Sequence, residues 1–241
     1  MTKVLITICA RAGSKGVLNK NIRKVNDKPL IAYSIAHAKK LSKLLNADLI
    51  LSTDGLHIIE VAEAFGLSNH GYLRPEHLAN DSAGKIDVLF DVKDFAEQKL
   101  NTHYDFLIDL DVSSPIRKIE EVLEAYEILK ENPDALNIFS VSPAHKNPYF
   151  NMVETKGDGF VELSKKLSTQ VKSRQAAKEV FELNASFYIY TDKFFKTGQK
   201  GAITEKSLMF SMPDICFDID NEIDLEFFEF LLKTNKLNMT L

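Results

Sequence analysis

Arg11, Lys15 and Lys20 place three cationic side chains in one short stretch, with Gly13, Ser14 and Gly16 among them. Glycine reaches backbone angles closed to other residues and lets a bulky group approach the chain. Consecutive N–H groups combined with lysine and arginine make a concave site for polyanions. The stretch holds neither a Walker A G-x-x-x-x-G-K-[ST] pattern nor a G-x-G-x-x-G fingerprint. Its cation content suits a ligand more charged than a single phosphate, although loops of Gly, Ser and Lys that bind nothing are also common. A second group stands near the other end of the chain, in Cys216-Phe217-Asp218-Ile219-Asp220-Asn221. If Phe217 to Asp220 is extended, Asp218 and Asp220 share a face. Two like charges that close need an offset. Mg²⁺ supplies one, because it takes one or two carboxylates together with phosphate oxygens and water. The alternative is a solvated turn in which an aspartate caps the last helix.

The elements that must position these groups alternate. Val4 to Ala10 is apolar and rich in β-branched residues, which suits a strand buried on both faces and leading straight into the cationic loop. Pro29 falls where a helix begins, and Ile31, Ile35 and Ala38 recur at helical spacing through Lys39. Asp48 to Thr53 reads as a strand, followed by a helix from Leu56 to Phe65 that Gly66 stops. Lys85 to Lys99 predicts a helix with Leu89 and Phe90 facing inward, and Tyr104 to Leu110 another strand. A helix carrying Ile119, Val122, Leu123 and Tyr126 and a strand from Asn137 to Val141 continue the pattern. Such alternation marks an α/β fold of three layers around a mostly parallel sheet, and open sheets of this kind bind ligands beyond their strand ends. From Pro143 to Leu183 the alternation stops. That segment reads as an extended ribbon with a hairpin turn at Lys156-Gly157-Asp158-Gly159. Phe187 to Tyr190 and Leu208 to Met212 predict late strands, and Ile223, Phe227, Phe230 and Leu231 the buried stripe of a closing helix.

The 241 residues suffice for one domain, residues 1–241, with 143–183 as an arm. A formal charge of −4 argues against a nucleic-acid binder, whose footprint is broadly basic. Cys9 and Cys216 are too few for a disulfide framework, and Cys9 reads as a small core residue within the first strand. Neither a signal-peptide pattern nor a membrane-length apolar run is present, so the expectation is a cytoplasmic protein with no membrane partner.

Ala10-Arg11-x-Gly13-Ser14-Lys15-Gly16 with Lys20-Asn21 closely resembles the opening of the acylneuraminate cytidylyltransferases, the CMP-sialic acid synthetase family, which includes CMP-legionaminic and CMP-pseudaminic acid synthetases. The resemblance spans nearly the whole chain. It implies a nucleotide-diphospho-sugar transferase-like, Rossmann-like α/β/α fold with an extended β dimerisation arm. It implies that Arg11, Ala12, Gly13, Ser14, Lys15, Lys20 and Asn21 wrap the triphosphate of CTP. The Arg74-Pro75…Leu78-Ala79-x-Asp81 segment is similar to one whose arginine holds the cytosine base, but Ala83-Gly84-Lys85 stands where many relatives carry serines. Ser114-Pro115-x-Arg117 survives from the family's Leu-Gln-Pro-Thr-Ser-Pro-Leu-Arg, with Asp111 in place of glutamine and Val112 in place of proline. In relatives that glutamine touches the acceptor sugar, so Asp111 and Ser113 are sugar-site candidates; Asp111 alternatively adds a carboxylate near the metal. Arg117 is equally a structural cap or ion pair. Arg174-Gln175 and Asn184-Ala185-Ser186 resemble the family's Arg-Gln…Asn-Gly-Ala, which contributes to the sugar site. A guanidinium fork suits the carboxylate of an α-keto acid sugar. Relatives often carry arginine where Glu182 stands. The terminal Asp-x-Asp matches the family's Mg²⁺ ligands, and the arm implies a homodimer.

The implied reaction is nucleotidyl transfer: a hydroxyl of an acidic nine-carbon sugar attacks the α-phosphorus of CTP and pyrophosphate leaves. Lys20, Arg11 and Asp220 are the catalytic candidates, and the departures at Asp111, Val112 and Glu182 lean toward a bacterial relative of sialic acid. Two other readings stand beside it. Asp109-x-Asp111 is also a same-face carboxylate pair, as in a metal-dependent glycosyltransferase that consumes a nucleotide sugar. A non-catalytic nucleotide-binding paralogue would keep the fold without turnover.

Overall fold

The computed structural model describes residues 2–13, 16–167 and 173–237. Strand β1 (Val4–Cys9) lies inside a six-stranded sheet. A short hairpin of β2 (Lys24–Val25) and β3 (Lys28–Pro29) leads into helix α1 (Leu30–Leu45). Asn26 and Asp27 both take positive φ there, the geometry of the two-residue turns that suit twisted hairpins. Strand β4 (Asp48–Ser52), helix α2 (Leu56–Ala64), helix α3 (Lys85–Leu100) and strand β5 (Phe106–Leu110) follow. Helix α4 (Ile119–Glu131) then precedes strand β6 (Asn137–Pro143).

The arm carries β7 (Val153–Thr155) and β8 (Val161–Leu163), paired antiparallel around the turn at Gly157 and Gly159. The chain returns through β9 (Phe181–Thr191), helix α5 (Asp192–Lys196), β10 (Ser207–Ser211) and helix α6 (Glu222–Lys233). The strand order is β10-β6-β9-β5-β1-β4, and only β9 runs against its neighbours. The pair Pro143↔Phe181 closes the base of the arm where the sequence reading begins it.

Alternation along β1 explains its unbroken apolar run. Val4, Ile6 and Ile8 enter a core shared with α1, α2, α4 and α6, whereas Leu5 enters a second core under α3 and α5. Both faces of the sheet are therefore covered, as in three-layer folds.

Three expectations need correction. Helix α1 runs six residues beyond Lys39, to Leu45. Phe90 is 55% exposed while Leu89 is buried, because neighbouring helical residues point about 100° apart and only one can face the sheet. On α6 the buried positions are Leu225, Phe228 and Leu231; Ile223 is 76% exposed, and Phe227 and Phe230 also face outward. The phase of that helix is set by its cap, in which Asn221 Oδ1 accepts from Asp224 N while Asp224 Oδ2 accepts from Asn221 N.

Candidate active site

The cationic loop leaves β1 at the same sheet edge from which β4 and β5 emit their loops. Its backbone is pinned at two points. Ala12 N donates to Asp54 Oδ1 at 2.9 Å, and the buried Asn21 Nδ2 donates to Arg11 O at 2.8 Å. Lys20 opens a 3₁₀ turn (Lys20–Ile22), after Asn19 in the left-handed region. Its ammonium donates to Ile219 O at 2.7 Å and lies 3.6 Å from Asp220 Oδ1. The loop therefore meets the terminal aspartates directly. Gly16 makes the approach possible, since a Cβ there would fall 1.9 Å from the Asp220 carbonyl oxygen.

A cleft of about 450 Å³ results. Arg11, Lys20, Asn21 and Asp220 line one part of it, and Arg74, Lys85, Asp111 and Ser113 line the rest. Ser14 and Lys15 lie outside the described residues, and Gly13 has open space around its Cα. Arg11 Nη1 pairs with Asp81 Oδ1 at 2.6 Å across the mouth. Arg74 is buried, with Nε and Nη2 donating to the Oγ and the carbonyl of Ser52 at 3.1 and 2.8 Å. Cys9 is half-buried, packing against the second core on one side and lining the cleft on the other; burial, then the Asp109 charge, pushes its thiol up to about 12, which keeps it protonated and inert.

Asp111 accepts from Ser113 N and Oγ at 3.0 and 2.9 Å. Burial disfavours its charge, but the Lys85 ammonium, those hydrogen bonds and Arg117 together hold its pKa below the ordinary value. Asp218 goes the other way: burial, then the Asp111 charge, raises it, against a hydrogen bond from Ser113. Asp218 Oδ1 is a buried oxygen with no hydrogen-bond partner. Ile219, between the two aspartates, is fully buried and donates its N–H to Ser113 O at 2.7 Å. Because Asn221 and Asp224 cap α6, neither Asp218 nor Asp220 is needed for capping. An orphaned carboxylate oxygen beside two like charges suits a hard divalent cation, so these residues fit Mg²⁺.

The other sugar-site candidates lie elsewhere. Asn184 is buried, with Oδ1 accepting from Ser140 Oγ at 2.6 Å and Nδ2 donating to Ser142 Oγ at 3.0 Å. It braces an irregularity in the β6–β9 pairing, between Phe139 and Val141, and does not line the cleft. Gln175 is exposed on a 3₁₀ turn (Arg174–Ala176) away from the cleft, and Arg174 belongs to the same turn. Arg117 is structural: it is buried, with Nε donating to Ser186 Oγ at 3.0 Å and Nη2 to the carbonyl oxygens of Asp111 and Ser114. Burial lowers its pKa to about 10, still above neutral pH.

Sequence reasoning puts Lys85 in the base-side loop, where it bears on base preference, but misses its pairing with two carboxylates. Its Nζ lies 2.9 Å from Asp109 Oδ2 and 3.4 Å from Asp111 Oδ2, so an ammonium already holds the Asp109-x-Asp111 pair that a glycosyltransferase would give to its metal. The roles of Asp54 and Asp81 were also missed; their place in Thr53-Asp54-Gly55 and Leu78-Ala79-x-Asp81, both at strand or loop ends, was the available signal.

Among solved structures, the fold is similar to that of CMP:2-keto-3-deoxy-manno-octonic acid synthetase complexed with CTP. The TM-score is 0.70 at 16% identity, over 97% of this chain and all of that one. The chain is 39% identical to post-translational flagellin modification protein B of Campylobacter coli over 237 residues, 98% of each. It is 38% identical to CMP-N,N'-diacetyllegionaminic acid synthase of Campylobacter jejuni, over 99% of this chain and 98% of that one. The sequence pattern described as "Cytidylyltransferase" runs from residue 5 to residue 240, the whole span that carries the sheet and the cleft, and the chain belongs to that cytidylyltransferase family.

Proposed function

We propose that this enzyme transfers CMP from CTP to a nine-carbon α-keto acid sugar, with a sugar of the N,N'-diacetyllegionaminic acid type as acceptor. The observation that carries it is the single cleft in which Arg11 and Lys20 face Asp111, Ser113 and Asp220. In the reaction a sugar hydroxyl oxygen bonds the α-phosphorus, the bond to the β-phosphate bridging oxygen breaks, the hydroxyl proton is lost and pyrophosphate departs. Both reactants are anions, so charge neutralisation and in-line positioning supply most of the catalysis. Arg11, Lys20 and the loop N–H groups hold the triphosphate and stabilise the leaving pyrophosphate. Mg²⁺, held by Asp218 and Asp220, would neutralise phosphate charge and favour the ionised hydroxyl. Arg74 belongs to the base end of the cleft, and Asp111 with Ser113 to the acceptor end.

The choice of a legionaminic-type sugar follows from the relative of that name and from Asp111, which presents acceptor oxygens where an amide would also donate. The arm exposes Met152, Val153, Phe160 and Val161, an apolar surface that a second copy of the chain would cover, so the working enzyme is a homodimer. Arg174 and Gln175 of the arm would then meet the sugar carboxylate in the neighbouring subunit. CTP supply places the enzyme in the cytoplasm.

Pyrophosphate release tests the proposal, with CTP, UTP and ATP each paired with legionaminic, pseudaminic and sialic acids. The expected pattern is turnover with CTP and preference for the legionaminic type. A clear preference for sialic acid overturns the acceptor choice, and no pyrophosphate with any pair overturns the reaction.

A further inference from the structure

Asp109 ends strand β5 and is fully buried. Thr7 Oγ1 donates to its Oδ1 at 2.8 Å, and its Oδ2 faces the Lys85 ammonium at 2.9 Å. Asp111, two residues on and half-buried, turns Oδ2 to the same ammonium at 3.4 Å. Two carboxylates converging on one point beside a polyphosphate cleft is how proteins hold a hard divalent ion. Here a tethered cation occupies the point. A lysine contributes one positive charge and three donors, and unlike a dissolved ion it is tethered to the chain and cannot dissociate. Asp218 lies close enough to Asp111 to feel its charge. A neutral residue at position 85 would leave Asp109 and Asp111 without the ammonium between them and near a third carboxylate, with the more distant charges of Lys20 and Arg117 to offset the three.

We propose that Lys85 stands in for a second divalent ion, closing Asp109 and Asp111 to metal and leaving Asp218 and Asp220 as the single metal site of the cleft. The inference deepens the cytidylyltransferase reading and rests on it only for the Asp218–Asp220 site. It explains why lysine opens α3 facing a cleft whose task is to gather cations around phosphate.

The test counts Mn²⁺ bound per chain by electron paramagnetic resonance, without nucleotide, on the full-length protein. Wild type should bind one ion, Lys85→Ser two, and Lys85→Arg, which keeps the charge, one. The double variant Lys85→Ser/Asp111→Asn should return to one. If Lys85→Ser is poorly folded without metal, its melting temperature should rise with Mn²⁺ by more than that of wild type. Two ions on wild type, or no added ion and no added Mn²⁺ stabilisation in Lys85→Ser, overturns the inference. No ion on wild type but one on Lys85→Ser would sink the Asp218–Asp220 site and leave the role of Lys85 standing.

Discussion

Gly16 and Asp220 are in backbone contact: a methyl group on Gly16 would stand 1.9 Å from the Asp220 carbonyl oxygen. A loop from the first strand and a segment just before the last helix are thus held as one surface. Gly16→Ala must move one of them, because the obstructing atom is main chain. The expected result is a fall of about 10²-fold in kcat/KM for CTP, as for a misplaced catalytic group, with the melting temperature nearly unchanged. Full activity in Gly16→Ala would show that the contact does not set the geometry of the cleft.

Arg117 ties the exit of β5 to Ser186 on β9 through buried hydrogen bonds. Removing it leaves the Ser114 carbonyl buried without its donor and the Asp111 carbonyl with the Ser34 hydroxyl alone, a loss of about 3 kcal/mol. Arg117→Ala should therefore shift the urea midpoint well below wild type, and Arg117→Lys should recover only part, since an ammonium cannot reproduce the fork. A midpoint for Arg117→Ala within error of wild type would contradict a structural role.

Ala185 takes φ +57°, next to the bulge that Asn184 braces. A left-handed residue with a Cβ is strained by roughly 1–2 kcal/mol, whereas glycine is not. After allowing for the greater chain entropy of glycine when unfolded, Ala185→Gly should stabilise the protein by about 0.5–1 kcal/mol. Thermal unfolding would measure it, and a destabilised variant would show that the methyl group packs favourably.

His37 is buried in α1, its Nδ1 has no hydrogen-bond partner, and burial, with Arg117 and Lys40 nearby, lowers its pKa from 6.5 to about 3. Between those values the unfolded chain binds a proton that the native chain does not. Stability attributable to His37 is therefore complete above about pH 6.5 and declines as the pH falls toward 3, by at most about 1.4 kcal/mol per pH unit. His37→Leu should flatten the stability profile between pH 7 and pH 5. Parallel profiles for variant and wild type would remove His37 as the cause.

Strands β1, β4, β5 and β6 and the cationic loop were legible in the sequence because each follows from neighbouring residues: β1 is apolar on both faces, and glycines and cations cluster after it. The β2–β3 hairpin and the first residues of β9 were not read. The phase of α6 was not, since Leu225, Phe227, Phe228, Phe230 and Leu231 put apolar groups on more than one face and the cap decides which is buried. The pairing of Lys85 with Asp109 and Asp111 was also hidden, because it depends on α3 crossing over the sheet to start beside the end of β5. Asn184 shows the limit of a motif carried over by resemblance: its side-chain hydrogen bonds are committed to the sheet.

The central claim is that Lys20 and Asp220, 3.6 Å apart across a fold that separates them by most of the chain, serve one triphosphate. Its most direct test is the rate of pyrophosphate release from CTP and a legionaminic-type sugar by wild type, Lys20→Ala and Asp220→Ala, with circular dichroism to show that each is folded. A loss of about 10²–10³-fold in both folded variants is the expected result; near-normal release by either one would contradict the claim.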